Sequence, residues 1–539
     1  MSKVTAVLSM LHEDAIHHSG TRRFRKSPVL RWTLDRINRA SGIDEIAILC
    51  WEDQLEALHD MAEEADAHVL AKGPRVALPE VDAIAAARRW GDGWRGGLHG
   101  ATEFDQGFYA PWLKELVERL PSDVLLLVNP AAALIDATLL EDLIERAVTR
   151  DDIEFCFLPA TPGFAAATLR PTLLDRLAAT KQHPGKLLNY QPDHPIRDAI
   201  GTDSAVPVPT PVARTTRRFN MDSDRQIEML SEGTISLNGS LMGSEAEQIL
   251  GHVNRLAGDN TMPREVTLEL TTKRLSKPID WPGKYHTIER PAMSMDAIRT
   301  LLTELGKVDD LRLTLAGVGD PLLAENLFDV IAAAREAGIS AIGMETDLLS
   351  PDESLIQKLV ETKIDVIAVN VPAALQQTYA NIMGVDGLPR MIANVRTLIT
   401  HRQTLGNGVP LLAPIFTKTA QNLAEMEAWY DQWLRAIGSA VLRGPSDFAG
   451  QIPDCSVADM SPPVRKACAR LASRLTILCD GTIVACEQDV LGKMPLGTAG
   501  RDGIADVWQT RVASLRRDHE QKNFNTHPLC GGCKEWHRP

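Results

Sequence analysis

Cysteine is scarce in this 539-residue sequence, with eight in all and six of them in the last 85 residues. A disulfide framework suits small secreted domains, so a sparse set gathered at one end points instead to a metal site. Basic charge is also in short supply: 57 Lys and Arg stand against 71 Asp and Glu, for a formal charge of −14. No basic block is available to neutralise a phosphate backbone, which argues against nucleic acid as a partner. Long apolar runs are missing too, since stretches such as Val124–Val128 fall far short of the 18 or so residues of a membrane span. The opening MSKVTAVLSMLHEDAIHH has too short an apolar run for a signal peptide and meets acids and histidines at once, so a soluble, cytoplasmic chain is expected.

What the sequence does contain is enough apolar content, 44%, for two to four globular domains. Residues 1–230 alternate short apolar runs (VTAVLS, EIAILC, DVLLLV, EFCFLP) with amphipathic stretches at 29–39, 53–65, 82–90, 108–119 and 137–147. That rhythm predicts an α/β domain with an open, mostly parallel sheet covered on both faces. A Pro- and Thr-rich stretch at 205–216 interrupts it, and a polar connector is expected over 231–262. A second βα series, VTLELTT, LRLTLAG, AIGMETD, VIAVNVP and PLLAPIF, predicts a partial (βα) barrel over 263–445. Residues 446–539 then form a small cysteine-bearing module.

In that module, RLTILCDGTIVACEQD predicts a hairpin turning at Asp480-Gly481, with positive φ at both turn residues and Cys486 on the second strand. Cys468 lies upstream, and Cys530-Gly-Gly-Cys533 closes the chain, its glycines expected to let the backbone curl around one centre. Four convergent thiolates suit zinc or an iron–sulfur cluster, and the residues alone leave that choice open. Cys468, Cys486, Cys530 and Cys533 are the expected ligands, with Cys479 as rival, Cys455 as bystander, and His527 and His537 as substitutes. Cys50 and Cys156, at the ends of apolar strands, read as buried and inert.

Cys468-x12-Gly481-x4-Cys486, the segment LGKMPLGTAGRDGIADVW and the terminal CxxC together resemble a SPASM domain, the auxiliary iron–sulfur module of radical S-adenosylmethionine (AdoMet) enzymes. The resemblance implies a [4Fe–4S] cluster, and the abbreviated cysteine set implies one only. Upstream, LELTTKR at 268–274 is similar to the first strand of a radical-AdoMet barrel, and LAGVGDPLL at 315–323 to its glycine-rich turn. By that likeness Gly317, Gly319 and Asp320 would shape an AdoMet-like pocket, with residues 344–347 on the same rim. The family's CxxxCxxC loop is absent, because 271–286 reads TTKRLSKPIDWPGKYH and residues 266–439 hold no cysteine. Without three thiolates, reductive AdoMet cleavage is not expected of this chain.

Residues 19–53 resemble the opening of sugar-nucleotide cytidylyltransferases of the CMP-Kdo synthetase type. That likeness implies a phosphate-facing loop at Arg22, Arg23, Arg25 and Lys26, since cations and loop amides neutralise phosphate. Where the family carries a Mg²⁺-binding Asp after its fourth core strand, this sequence has Asn129, Pro130 and three alanines, none a strong donor to a hard cation. Asp222 and Asp224, before a helix, read as helix caps or as a residual acidic element, and His17 and His18 as loop residues. The order of the three parts resembles the spiro-SPASM proteins. The expected role is that of an iron–sulfur redox, binding or scaffold component, with a nucleotide sugar or AdoMet-like small molecule and an intact partner enzyme as candidate partners. The alternative is a cytidylyl-type nucleotide-sugar transferase with a structural Cys₄ zinc or Fe–S tail.

Overall fold

The computed structural model describes residues 2–195, 197–253, 261–350 and 352–538. The chain divides into two compact units, Met1–Gly258 and Asp259–Pro539. Both are mixed α/β with largely parallel sheets. Of the expected connector, residues 254–260 lie outside the described residues. The part before them is not a free linker, because Ala246–Val253 is a helix burying Ile249, Leu250 and Val253 in the first core.

In the first unit, β1 (Val4–Ser9), β2 (Glu45–Cys50), β3 (Ala67–Ala71), β4 (Val124–Val128), β5 (Phe155–Phe157) and β6 (Ala166–Leu169) form one sheet in the order β3-β2-β1-β4-β6-β5. The four strands from β3 to β4 run parallel, and β6 is antiparallel to both β4 and β5. Val4–Ser9 is buried at every position, as a central strand covered on both faces requires. The sequence pattern missed β3 and β6, which are short and lack a run of β-branched residues. Two flanking helices start earlier or later than expected: Pro79–Arg89 has a proline in its first turn, where the missing N–H costs nothing, and Ala110–Arg119 begins after Tyr109.

The second unit contains β7 (Glu265–Leu268), β8 (Arg312–Leu315), β9 (Ala341–Thr346), β10 (Val366–Asn370), β11 (Leu411–Thr417) and β12 (Val441–Arg443). These six are parallel neighbours in sequence order, one strand more than expected, which accords with a partial (βα) barrel. Amphipathic helices such as Met295–Leu305, capped by the Ser294 side chain on the Ala297 N–H, bury Ile298, Leu301, Leu302 and Leu305 against them.

The cysteine-bearing segment is not a separate sheet. Its β13 (Arg474–Ile477) pairs in parallel with β7, from Arg474 opposite Glu265 to Ile477 opposite Leu268. The strands β14 (Thr482–Val484) and β15 (Gly497–Thr498) extend the same sheet in antiparallel fashion. Among the described residues, no helix is long and apolar enough to cross a membrane.

Candidate metal centre

The hairpin that carries the first thiols departs from the expected turn. Leu478 and Thr482 are paired by a hydrogen bond of 2.9 Å, and the Gly481 N–H donates to the Leu478 carbonyl, so the loop has three residues, 479–481. Only Gly481 has positive φ, at 85°. This is a turn closed by one left-handed glycine, not a two-residue loop with two. Cys479 therefore lies in the turn, and Cys486 lies on a bend beyond the end of β14.

At the other end of the module Pro528–Gly532 forms a short helix. Neither Gly531 nor Gly532 adopts positive φ. A Cβ at Gly531 would approach the exposed Asn525 Oδ1 to 2.8 Å, a contact that side chain can relieve by turning away. Arg465 holds this turn in place by donating to the carbonyls of Gly531, at 2.8 Å, and Cys530.

These local structures bring Cys468, Cys486, Cys530 and Cys533 to the wall of one cavity. Leu471, Met494, Leu496, Leu515 and Trp536 supply its apolar lining. All four cysteines are free and partly buried. Burial pushes the Cys530 thiol up to about 12, and it also raises Cys486 and Cys533. A metal centre bound there would displace protons from those sulfurs.

Among the described residues, no three His, Cys, Asp or Glu side chains converge closely enough to hold a single ion. An all-sulfur donor set suits zinc or iron–sulfur chemistry.

The other sequence candidates lie elsewhere. Cys479 is buried at 2% exposure and does not line the cavity; its N–H donates to Glu269 Oε1 at 3.1 Å. Cys455 is near Asp280 and Asp454 and also lies off the cavity. His527 pairs with Asp518 at 3.2 Å, and the His537 ring packs on Trp536 at 5.5 Å; neither lines the cavity.

The residues that sequence reasoning missed here are Arg470 and His519. Arg470, 7% exposed, pairs with Glu487 at 2.5 Å and lies within electrostatic reach of the Cys486 and Cys468 thiols. His519 accepts from the Cys468 N–H at 3.3 Å. One signal could have found it: it stands four residues after Leu515 on the buried face of Ala513–Glu520.

At the ends of the parallel strands of the second unit, the glycine-rich turn is tightly occupied by the protein itself. A Cβ at Gly317 would stand 2.5 Å from Glu269 Oε2, and one at Gly319 would stand 2.1 Å from the Thr271 carbonyl oxygen. Packing against the end of β7 thus accounts for both glycines. Asp320 caps the turn Pro321–Leu323 and accepts from Thr346 Oγ1 and the Asp347 N–H. In the segment after β7, the Arg274 guanidinium binds Asp347 through two contacts, of 2.8 and 2.5 Å. On the same rim Arg443 holds Glu345 in a bidentate pair at 3.0 and 2.7 Å.

In the first unit a cavity at the ends of β1 and β4 is lined by Ser9, Glu103, Gln106, Gly107 and Asn129 among others. Glu103, absent from the sequence reading, is its hub: it accepts from Arg88 at 3.0 Å, Gln106 at 2.8 Å, Asn129 at 2.8 Å and Asn220. The Asn129 oxygen is itself committed to the Ala131 N–H at 2.9 Å. These oxygens do not fit a Mg²⁺ site, which needs donors facing the ion.

The cationic loop is turned largely on its own surroundings. Arg22 pairs with Asp224 at 2.7 Å, Arg23 donates to the Lys26 carbonyl at 3.0 Å, and Arg25 reaches the Thr234 side chain at 3.1 Å. Lys26 is exposed. Asp222 is held by Arg218, and the cap of helix Asp224–Gly233 is Ser223, between the two acids expected to serve. His18 is a loop residue as expected, yet buried, its Nδ1 accepting from the Gly20 N–H at 3.2 Å. Cys50 and Cys156 are buried.

Comparison with known proteins gives one family: residues 468–534 match SPASM, an iron–sulfur cluster-binding domain. A protein of Treponema pallidum (strain Nichols), described as uncharacterized, is 24% identical over 301 residues, which span 51% of this chain and 79% of that one. Among solved structures, BtrN in complex with AdoMet and 2-DOIA is 17% identical with a TM-score of 0.35, covering 51% of this chain and 94% of BtrN. Streptococcus suis SuiB bound to precursor peptide SuiA is 12% identical with a TM-score of 0.41, covering 64% and 79%. A cytidylyltransferase from Leptospira borgpetersenii serovar Hardjo-bovis (strain JB197) is 12% identical with a TM-score of 0.33, covering 47% and 93%.

Proposed function

We propose that this chain is a radical-AdoMet-related iron–sulfur protein that holds one [4Fe–4S] cluster on Cys468, Cys486, Cys530 and Cys533 and does not itself cleave AdoMet. The observation that carries this reading is the meeting of four thiols, from three separate stretches of chain, at one cavity inside a segment that matches an iron–sulfur domain. When bound, such a cluster supplies one-electron transfer. Around it, the chain's own residues exclude water through Leu471, Leu515 and Trp536, fix the CxxC turn through Arg465, and place a fixed cation at Arg470.

The barrel rim carries Arg274 paired with Asp347 where the AdoMet-cleaving thiolates would stand, so no side chain there can present an open iron. The role that fits is that of a cytoplasmic redox, binding or scaffold component working beside an intact enzyme. A nucleotide sugar would occupy the Glu103 cavity of the first unit, and an AdoMet-like molecule the rim near Asp320. Cytidylyl transfer would need Asp222 or Asp224 to carry the metal ion, and both carboxylates are held by arginines.

The test is anaerobic reconstitution with iron and sulfide. Cys486→Ser and Cys533→Ser should lose the broad brown absorption of the cluster, while Cys479→Ser and Cys455→Ser keep it. Wild-type protein given dithionite and AdoMet should yield no 5′-deoxyadenosine. Retention of the cluster by Cys486→Ser with its loss in Cys479→Ser would reassign the ligands, and 5′-deoxyadenosine release would overturn the proposed inactivity.

A further inference from the structure

Buried donors in the cysteine cavity lack acceptors. His519 is 2% exposed, and because its Nδ1 accepts from the Cys468 N–H at 3.3 Å, the ring proton resides on Nε2. That Nε2 is buried and has no hydrogen-bond partner. The Nε atoms of Arg470 and Arg465 are in the same condition. All three side chains line the cavity that the four cysteines share.

Folded proteins pair nearly all their buried N–H groups, so several orphans around one cavity call for an acceptor that the polypeptide does not supply. An iron–sulfur cluster is such an acceptor, through its sulfides and its thiolate ligands. One N–H is already aimed at a ligand sulfur: the Glu535 amide donates to Cys533 Sγ at 3.3 Å. The wall also carries Gln488, Asp489 and Glu535, and Arg470 is paired with Glu487 at 2.5 Å and Glu535 at 3.6 Å; the rest of the lining is apolar, so a charge placed in the cavity is poorly screened by solvent.

We infer that Arg470 and His519 are positioning residues for the cluster, a guanidinium and a neutral imidazole N–H that together form a donor shell favouring its reduced state and raising its reduction potential. The inference rests on the cluster reading above. The step is the gain of one electron by the [4Fe–4S] core, from the 2+ to the 1+ state, supplied by a low-potential one-electron donor; no bond breaks and the His519 proton stays on Nε2. The bound cluster is an anion that becomes more negative by one charge, so a fixed guanidinium and hydrogen bonds to sulfur stabilise the product more than the reactant.

The experiment is a redox titration of the reconstituted holoprotein with dithionite, followed by electron paramagnetic resonance, with iron content measured on every sample. Arg470→Gln should keep its iron and lower the reduction equilibrium constant at least tenfold, a shift of 59 mV for one electron. His519→Leu should shift the potential the same way by less. Arg470→Lys, which keeps the charge, and His519→Gln, which keeps an acceptor for Cys468 and an N–H donor, should restore most of it. If Arg470→Gln loses iron, His519→Leu decides alone. A wild-type potential in an iron-replete Arg470→Gln, or in His519→Leu, overturns the donor shell and leaves the cluster in place; a wild-type protein that takes up no iron and sulfide defeats the underlying reading instead.

Discussion

Asp320 and Arg274 show how much the rim chemistry depends on single side chains. Burial raises the Asp320 carboxyl to about 6 from an ordinary value of 3.8, and the Asp347 charge beside it acts in the same direction. Because the folded-state value is raised, the folded chain binds this proton more tightly than the unfolded chain does. The resulting stability is present in full below about pH 4 and is lost as pH rises through about 6. Between these limits the wild type should lose on the order of 1–3 kcal/mol relative to Asp320→Asn, as read by denaturant unfolding at each pH. Parallel stability curves for the two proteins would contradict it. Legibility at this scale was uneven. The four cysteines could be read because thiols recur at ordered spacings around a glycine. Arg274, Glu103 and Arg470 could not, because a lone charged residue carries no periodicity and its importance comes from partners far away in sequence, such as Asp347 for Arg274 and Asn220 for Glu103.

The hairpin of β13 and β14 links the cysteine module to the parallel strands. Its sequence alternation made both strands legible, but the three-residue loop was not, since Asp-Gly serves both turn types and the choice is set by register. The parallel pairing of β13 with β7 was equally hidden, because it joins residues about two hundred positions apart and leaves no local signal. Gly481 tests this element. It has φ of 85°, and a Cβ there would stand 2.9 Å from Met293 Sδ. Gly481→Ala should therefore cost about 1 kcal/mol or more and weaken iron retention by shifting Cys486. Gly532→Ala, with open space around the added Cβ, should leave thermal stability within about 0.5 kcal/mol of wild type. Calorimetry of both variants checks the contrast, and an equal loss in the two would refute the strain argument.

The whole chain combines two α/β units, the second with its glycine-rich turn packed by the protein's own side chains, and a cysteine cavity whose buried donors lack acceptors among the described residues. Alternating apolar runs made the two parallel sheets legible, because central strands buried on both faces leave a strong compositional trace. The antiparallel strand β6, inserted between β4 and β5, and the sixth strand of the second unit, β12, were not, because strands of three or four residues leave little. The account turns on the inventory of metal held by the molecule. Iron and acid-labile sulfide measured on anaerobically prepared, fully reconstituted wild-type protein should each come to about four per chain, one [4Fe–4S] cluster. Values near zero with zinc near one, or values near eight from a second cluster, would contradict it.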